Sequence, residues 1–519
     1  MNYTKRRRDV NWPALAMMSV ITLAVALRVW NVDIGLPYLY HPDEPRYIGG
    51  AQTLFKTLDL NPRALTDISP GAFVYVVNAI AYVPYFVGGN LLGVFHGVAD
   101  IPPPTVLNMG VARTTLSTTI LLGRYVSIGF GVGSVLLVYL IGRRLITAAA
   151  AGIVAALMLA VSPDAVYHSR LVTPDTFVVF FVLLTFLGAG GILKYFRRRD
   201  YALVGIALGC LASAKISGLV VVIPVLMALL QRKGWRSILN RRMMGLFAAG
   251  AIAYVVTTPY VLVDPIKVVS DNLNEVRHYA DGHPGMEGET LAYYIGYLWR
   301  SDGFVCALMI VEILRGLLRK SIQVVFLALF PISYFILISI FVVRNDRTLL
   351  PIMPFMYVLA ASCLVNVSTT LMADRRTKLG IATFLAVVGV TTCISLASTI
   401  SMTESSAALI GSREAARVWI QGNLPLGSRI VFEAYSPYVD PQRFELWPVG
   451  RIIDHSRAWY LDKRIRYVIV SEGMFGRYFA DRNQYAFEVL QYEAFFRESE
   501  LVARFNDGGY EIRIVALNR

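Results

Sequence analysis

Charge is what this chain has least of: acidic and basic side chains make up 16% of its 519 residues, against 56% that are hydrophobic. With a mean hydropathy of +0.54, that scarcity excludes an ordinary soluble protein and leaves a polytopic membrane protein. Cysteine is scarce too. The four present, Cys210, Cys306, Cys363 and Cys393, fall in apolar runs and read as small core residues, not as disulfides or metal ligands. No glycine-rich phosphate loop occurs, which argues against a nucleotide site. Acidic residues are outnumbered, giving a net charge of +14, but from Glu404 onward there are 15 basic against 15 acidic residues. The whole excess therefore lies in the membrane part, where loop topology explains it, and nucleic acid is an unnecessary partner.

What the chain has in abundance is long apolar runs. The first, residues 12–30, follows Lys5-Arg6-Arg7-Arg8 without a small-residue cleavage site, so it reads as an uncleaved helix with its basic end in the cytoplasm. Further runs occupy 125–141, 147–161, 176–192, 202–214, 218–230, 243–258, 304–318, 323–343, 349–365 and 379–400. Basic clusters at Arg143-Arg144, Arg197-Arg198-Arg199, Arg232-Lys233 and Arg319-Lys320 alternate with them as the positive-inside rule requires. Residues 72–92 are apolar but hold Pro84 and Gly88-Gly89, which places them in the interface and gives about eleven spans; a double crossing would give thirteen. Residues 261–300 read as a long external loop. No internal repeat is evident.

From Glu404 the pattern changes. Residues 412–421 read as a short helix and 429–433, 466–470 and 511–516 as strands, with glycine and proline turns between. The expected architecture is a polytopic α-helical membrane domain over 1–403, followed by a small extracytoplasmic α/β domain over 404–519 that covers the outer face or meets an acceptor. All six histidines and most acidic residues before Glu404 fall on the outer side of this map.

Two outer loops offer chemistry. His41-Pro42-Asp43-Glu44-Pro45-Arg46-Tyr47 sets adjacent carboxylates at the start of an amphipathic helix, and Arg170 to Asp175 sets a second carboxylate and arginine directly before an apolar span. Asp43 and Asp175 read equally well as plain N-caps, with Glu44 favourable near the helix dipole. The repetition of acid and arginine at a membrane boundary points instead to one aqueous site. Lys215 lies between two apolar runs, where snorkelling competes with contact to a phosphate at membrane depth. Arg344 and Arg347 could supply the bidentate geometry a phosphate favours, with Asp346 neutralising one of them.

Carboxylates beside cations at a bilayer suit transfer of a sugar from a lipid phosphate. Cations stabilise the departing phosphate and a carboxylate takes the proton of the attacking hydroxyl. A transporter or lipid flippase whose charges line a pathway is the alternative, and an envelope assembly protein without catalysis is a third.

These residues resemble the GT-C class of glycosyltransferases that use polyprenyl-phosphate sugars. The chain is most similar to the family 39 branch of protein O-mannosyltransferases and aminoarabinose transferases acting on lipid A. The resemblance rests on Asp43-Glu44 with Arg46-Tyr47, on Arg170 to Asp175, on Lys215 and on Arg347-Thr348-Leu349-Leu350-Pro351-Ile352-Met353-Pro354, and spans roughly residues 12–400. It implies an inverting transferase of a prokaryotic cytoplasmic membrane, moving a monosaccharide to a hydroxyl of an extracytoplasmic lipid, glycan or protein. Asp43 would then be the base or its organiser, with Glu44 and Asp175 also catalytic. Arg46, Tyr47, Arg170, Lys215, Arg344 and Arg347 would bind substrate. Where many relatives carry Lys-Pro-Pro, this chain has Ser69-Pro70-Gly71-Ala72-Phe73, so one donor cation is missing. The family generally needs no metal cofactor; some GT-C relatives use a divalent cation, which Asp43 and Asp175 could hold.

Overall fold

The structure is a computed structural model that describes residues 11–61, 71–146, 148–233, 241–373 and 377–517. Lys5 to Arg8, Ser69-Pro70, Arg236 and the basic 374–376 stretch lie outside the described residues, as do the side chains of Arg232 and Lys233.

The membrane part is built from α1 (Trp12–Val29), β1 (Tyr38–Leu39), α2 (Glu44–Thr57), α3 (Ala72–Leu91), β2 (Thr105–Asn108), β3 (Val111–Arg113), α4 (Ser117–Leu145), α5 (Ala149–Ala160), α6 (Pro163–Ser169), α7 (Pro174–Tyr195) and α8 (Arg198–Ala214). It continues through α9 (Val222–Lys233), α10 (Arg241–Thr257), α11 (Pro265–Asp281), α12 (Thr290–Leu318), α13 (Ile322–Ser339), α14 (Met353–Ala373) and α15 (Thr377–Asn423). Among the described residues seven helices are long and apolar enough to cross a membrane, or eight if α5 and α6, bent by 62°, count as one span. That is fewer than the eleven to thirteen expected. The helices α8 and α10, of 17 residues each, are among the expected spans that fall below that length.

Four expectations are corrected. Of residues 72–92, Ala72–Leu91 form the continuous helix α3, because Pro84 removes one backbone hydrogen bond without breaking the flanking turns. The span expected to begin at 304 is only the second half of α12, which starts at Thr290 and kinks at Asp302 (φ −137°, ψ 32°). The long loop over 261–300 contains α11. The last span and the separate helix at 412–421 are one 47-residue helix, α15. Between them lie alanine, glutamate and serine with no proline, so nothing stops the helix. The boundary expected at 403/404 falls inside it. Of the cysteines, Cys393 is exposed on α15 and the other three are buried.

After α15 come β4 (Arg429–Phe432), β5 (Glu445–Pro448), α16 (Arg457–Asp462), β6 (Tyr467–Ser471), α17 (Glu472–Phe479), α18 (Ala486–Arg497), β7 (Glu500–Phe505) and β8 (Ile512–Ala516). The sheet order is β5-β4-β6-β8-β7. The strand β4 runs parallel to β5 and β6, and β8 is antiparallel to β6 and β7. Three of these strands, β4, β6 and β8, are the ones read from the sequence. Alternation along them sends Val431, Val468 and Val470 toward α16, α17 and α18, and Ile430, Phe432, Ile469 and Ile514 toward Ala416 and Ile420 on α15.

A small sheet, β1-β3-β2, joins this lobe to the membrane part. Asn108 donates to the carbonyl of Val449 at 2.9 Å, and Tyr435 N–H donates to that of Met109 at 2.9 Å. The same sheet ends at Leu39, four residues before Asp43, so the lobe and the acidic loop share one support.

Candidate active site

Asp43 occupies the N-cap position of α2 but makes no side-chain capping bond. Its carboxylate instead accepts from Arg347 Nη1 at 2.6 Å. Arg347 lies on the 3₁₀ turn Asp346–Leu349, whose own cap is Asn345. The same Nη1 is 3.9 Å from Asp175 Oδ2, and Asp175 Oδ1 is 3.7 Å from Lys215 Nζ. Lys215 in turn donates to the Tyr279 hydroxyl at 3.4 Å, its ammonium 5.3 Å from the ring centroid. Asp175 makes no capping bond either, since Thr173 holds the N-cap of α7. Both carboxylates are therefore left to the row of charges Asp43, Arg347, Asp175 and Lys215.

Burial alone would push the Asp43 carboxyl up, but Arg347 and His41 outweigh it and hold the group well below the usual carboxylate range. Burial likewise works against the Arg347 charge, and Asp43 and Asp175 reverse that, so the guanidinium binds its proton more tightly than a free one. His41, whose Nδ1 accepts from Asp43 N–H at 3.3 Å, is pushed down by burial despite Asp43 and Glu44.

The other expected site residues separate into three groups. Glu44 is fully buried and clamped by Arg124 through two bonds of 2.9 and 2.7 Å, and it accepts from Val172 N–H at 3.2 Å. Arg124 also donates to the carbonyls of Val32 and Ile34 at 2.7 and 3.0 Å. One ion pair thus ties the end of α1, the start of α2, α4 and the loop before α7 into a fixed frame. Burial raises the Glu44 carboxyl and the Arg124 charge and bonds more than offset it, so the net direction is down.

Arg46 and Tyr47 flank the row: Arg46 Nε donates to the Tyr75 hydroxyl at 3.1 Å and its guanidinium sits 5.5 Å from the Tyr47 ring. Arg170 and Arg344 lie outside the row. Arg170 donates to the Leu27 carbonyl and, at 3.1 Å, to Thr403, bracing α1 against α15. Arg344 packs its side chain against Gly288, and its N–H donates to Met286 at 2.8 Å.

The sequence assigns no site role to Arg124, His41 or Tyr279. Tyr279 had a signal: Ile266, Val269, Leu273 and Val276 repeat at helical spacing within the supposed loop. The loop after α11 also clasps the lobe. Tyr485 donates to Glu287 Oε2 at 2.7 Å, and Arg477 Nη1 lies 3.2 Å from His283 Nε2. Burial and then Arg477 push the His283 imidazole down to about 4. This loop also pairs with the segment leading to Arg347, Gly288 N–H donating to Val342 at 3.0 Å.

In this geometry the cation shared by Asp43 and Asp175 is a guanidinium. Among the described residues no group of three His, Cys, Asp or Glu side chains is placed to hold a metal ion. An ionised carboxylate flanked by two cations, beside a bilayer, can take a proton from a hydroxyl while the cations receive an anionic leaving group.

The fold has solved counterparts. ArnT from Cupriavidus metallidurans in the apo state is 14% identical, with a TM-score of 0.58 over 97% of this chain and 98% of that one. The same protein bound to undecaprenyl phosphate gives 15% and 0.57 over the same shares. The oligosaccharyltransferase AglB from Archaeoglobus fulgidus, in complex with an inhibitory peptide and a dolichol-phosphate, is 14% identical with a TM-score of 0.55, over 89% of this chain and 70% of that one. No curated protein matches the chain by sequence. The chain shares the fold of these proteins. Residues 112–262 match the family described as dolichyl-phosphate-mannose-protein mannosyltransferase.

Proposed function

We propose that this chain transfers a monosaccharide from a polyprenyl-phosphate donor to a hydroxyl of an extracytoplasmic acceptor, with inversion. The observation that carries the reading is the single guanidinium of Arg347 standing between Asp43 and Asp175, with Lys215 on the second oxygen of Asp175. The undecaprenyl phosphate bound by ArnT and the dolichol-phosphate bound by AglB support the donor class.

The acceptor oxygen attacks the anomeric carbon and its proton passes to Asp43. The bond from that carbon to the phosphate oxygen breaks, and its electron pair stays on the lipid phosphate. A phosphodiester becomes a monoester carrying more negative charge, so cations at Arg347 and Lys215 stabilise the transition state more than the bound donor. Arg347 also links donor binding to the base. A phosphate competes with Asp43 for the guanidinium, and as Arg347 turns to it Asp43 loses the charge that suppresses its proton affinity. Glu44, locked by Arg124, positions the loop and does not exchange protons.

Sidedness follows the charge distribution. Asp175 opens α7, while Arg144, Lys194 and Arg242 meet near its other end, Lys194 donating to the Arg144 carbonyl at 3.3 Å and Arg242 to that of Phe196 at 2.6 Å. We assign the basic end to the cytoplasm and the acidic row and lobe to the opposite face of a prokaryotic cytoplasmic membrane.

The test is purified protein in bilayers with a panel of polyprenyl-phosphate sugars, reading release of lipid phosphate. Release by the wild type and its loss in Asp43→Asn, with unchanged thermal unfolding, is the expected outcome. Full turnover in Asp43→Asn removes Asp43 from the mechanism.

A further inference from the structure

Helix α11 turns two unlike faces outward and inward. Toward the protein it buries Val268 and Asp271, the latter paired with Lys267. On the far side Ile266, Val269, Leu273 and Val276, spaced three, four and three apart, are 80%, 57%, 51% and 37% exposed. A stripe of that kind facing water is an association liability.

The stripe does not stand alone. Leu262 and Val263 carry it back to Ile252 and Val256 on the outer side of α10, all more than half exposed. On the side of α10 away from α8, Met244, Phe247, Ile252 and Val256 are 70%, 64%, 65% and 61% exposed. A helix apolar on one side, bearing Lys267, Asp271 and Glu275 on the other, and continuous with that apolar outer side of α10, has the composition of an interfacial helix.

Its C-terminal turn reaches the charged row. Tyr279 accepts from Lys215 through its hydroxyl, and its carbonyl accepts from Val342 N–H at 3.2 Å, on the segment that leads to Arg347. We propose that α11 lies with its apolar stripe in the bilayer interface and that this seat holds Tyr279 against Lys215, making the lipid surface a structural partner of the site. The functional meaning of the contact rests on Lys215 as a donor residue; the seat itself does not.

Two measurements on reconstituted full-length protein test it, and neither needs turnover. Single nitroxide labels are placed by Ile266→Cys, Leu273→Cys and Asn274→Cys in a background where Cys210, Cys306, Cys363 and Cys393 are replaced. Positions 266 and 273 are expected to relax with oxygen and stay shielded from a water-soluble nickel chelate, and 274 to do the reverse. Chelate access at 266 and 273 equal to that at 274 overturns the seat.

The second measurement follows acylation of Lys215 by a water-soluble amine reagent, read by peptide mass spectrometry. Ile266→Glu with Leu273→Glu is expected to raise it severalfold, and Ile266→Phe with Leu273→Phe to keep the wild-type rate. Unchanged labelling in the glutamate variant overturns the coupling to Tyr279. Failure of lipid-phosphate release by the wild type would instead count against the transferase reading and leave both readouts standing.

Discussion

Asp43 pairs with Arg347 across 304 residues of sequence, at 2.6 Å, and does so from a helix N-cap position that it does not use for capping. A carboxylate so placed has given up a local bond worth about 1 kcal/mol for a distant partner. The exchange makes sense where that partner is also needed by a ligand.

Removing the guanidinium therefore has two effects. Arg347→Ala is expected to lower turnover by about 10²–10³, the usual loss for one group aimed at developing negative charge. In the residual activity, the acidic limb of the pH–rate profile moves to higher pH. Burial is the largest single influence on the Asp43 carboxyl and acts upward, with Arg347 foremost among the groups that reverse it, so without the guanidinium Asp43 holds its proton to higher pH. A limb that stays in place would show that Asp43 is not the titrating base.

The Glu44–Arg124 pair behaves as framework. Both side chains are at most 3% exposed. Arg124→Ala leaves a buried carboxylate unpaired and is expected to cost about 3–5 kcal/mol, seen as a lowered unfolding temperature. Replacing both residues together by leucine or methionine recovers much of that loss. Stability untouched by Arg124→Ala would return Glu44 to the list of reacting groups.

The lobe contains a separate titrating group. Glu433 is fully buried just after β4, accepting from Ser471 N–H at 2.8 Å, Ile452 N–H at 3.1 Å and the Tyr492 hydroxyl at 2.9 Å. Burial outweighs these bonds and pushes the carboxyl up to about 8. A group that binds its proton more tightly folded than unfolded adds stability in full below the unfolded value, and that contribution is lost as pH rises through the folded one. Unfolding temperature is therefore expected to fall between about pH 4.5 and 8, and Glu433→Gln to flatten that slope.

The clasp is testable at Gly285, which sits at φ +74° with room for no side chain: a Cβ there would lie 2.6 Å from that of Arg477. Gly285→Ala is expected to open the loop to protease and to reduce turnover, because the loop pairs with the segment leading to Arg347. Wild-type protection in Gly285→Ala would uncouple lobe and site.

Asp43, Asp175, Lys215 and Arg347 were legible because charge is costly at a membrane boundary and therefore carries information. The pairing of Glu44 with Arg124 was not legible, since adjacency in sequence says nothing of which carboxylate meets an arginine 80 residues away. The strands β4, β6 and β8 stood out by their β-branched runs. The helix α3 was missed because proline was weighed as a breaker, and α11 because the charge of its inner face hid the apolar period of its outer one. The change in composition at 403/404 falls inside α15, where it accompanies no change in backbone.

That unbroken 47-residue rod, about 70 Å long, carries the final membrane crossing straight into the floor of the sheet. No break in the helix separates its two halves, so a tilt forced on its lower half by a thinner or thicker bilayer is passed on to the upper half. The position of the lobe relative to the membrane part is thus tied to lipid thickness, and bilayer composition enters the geometry of the outer face.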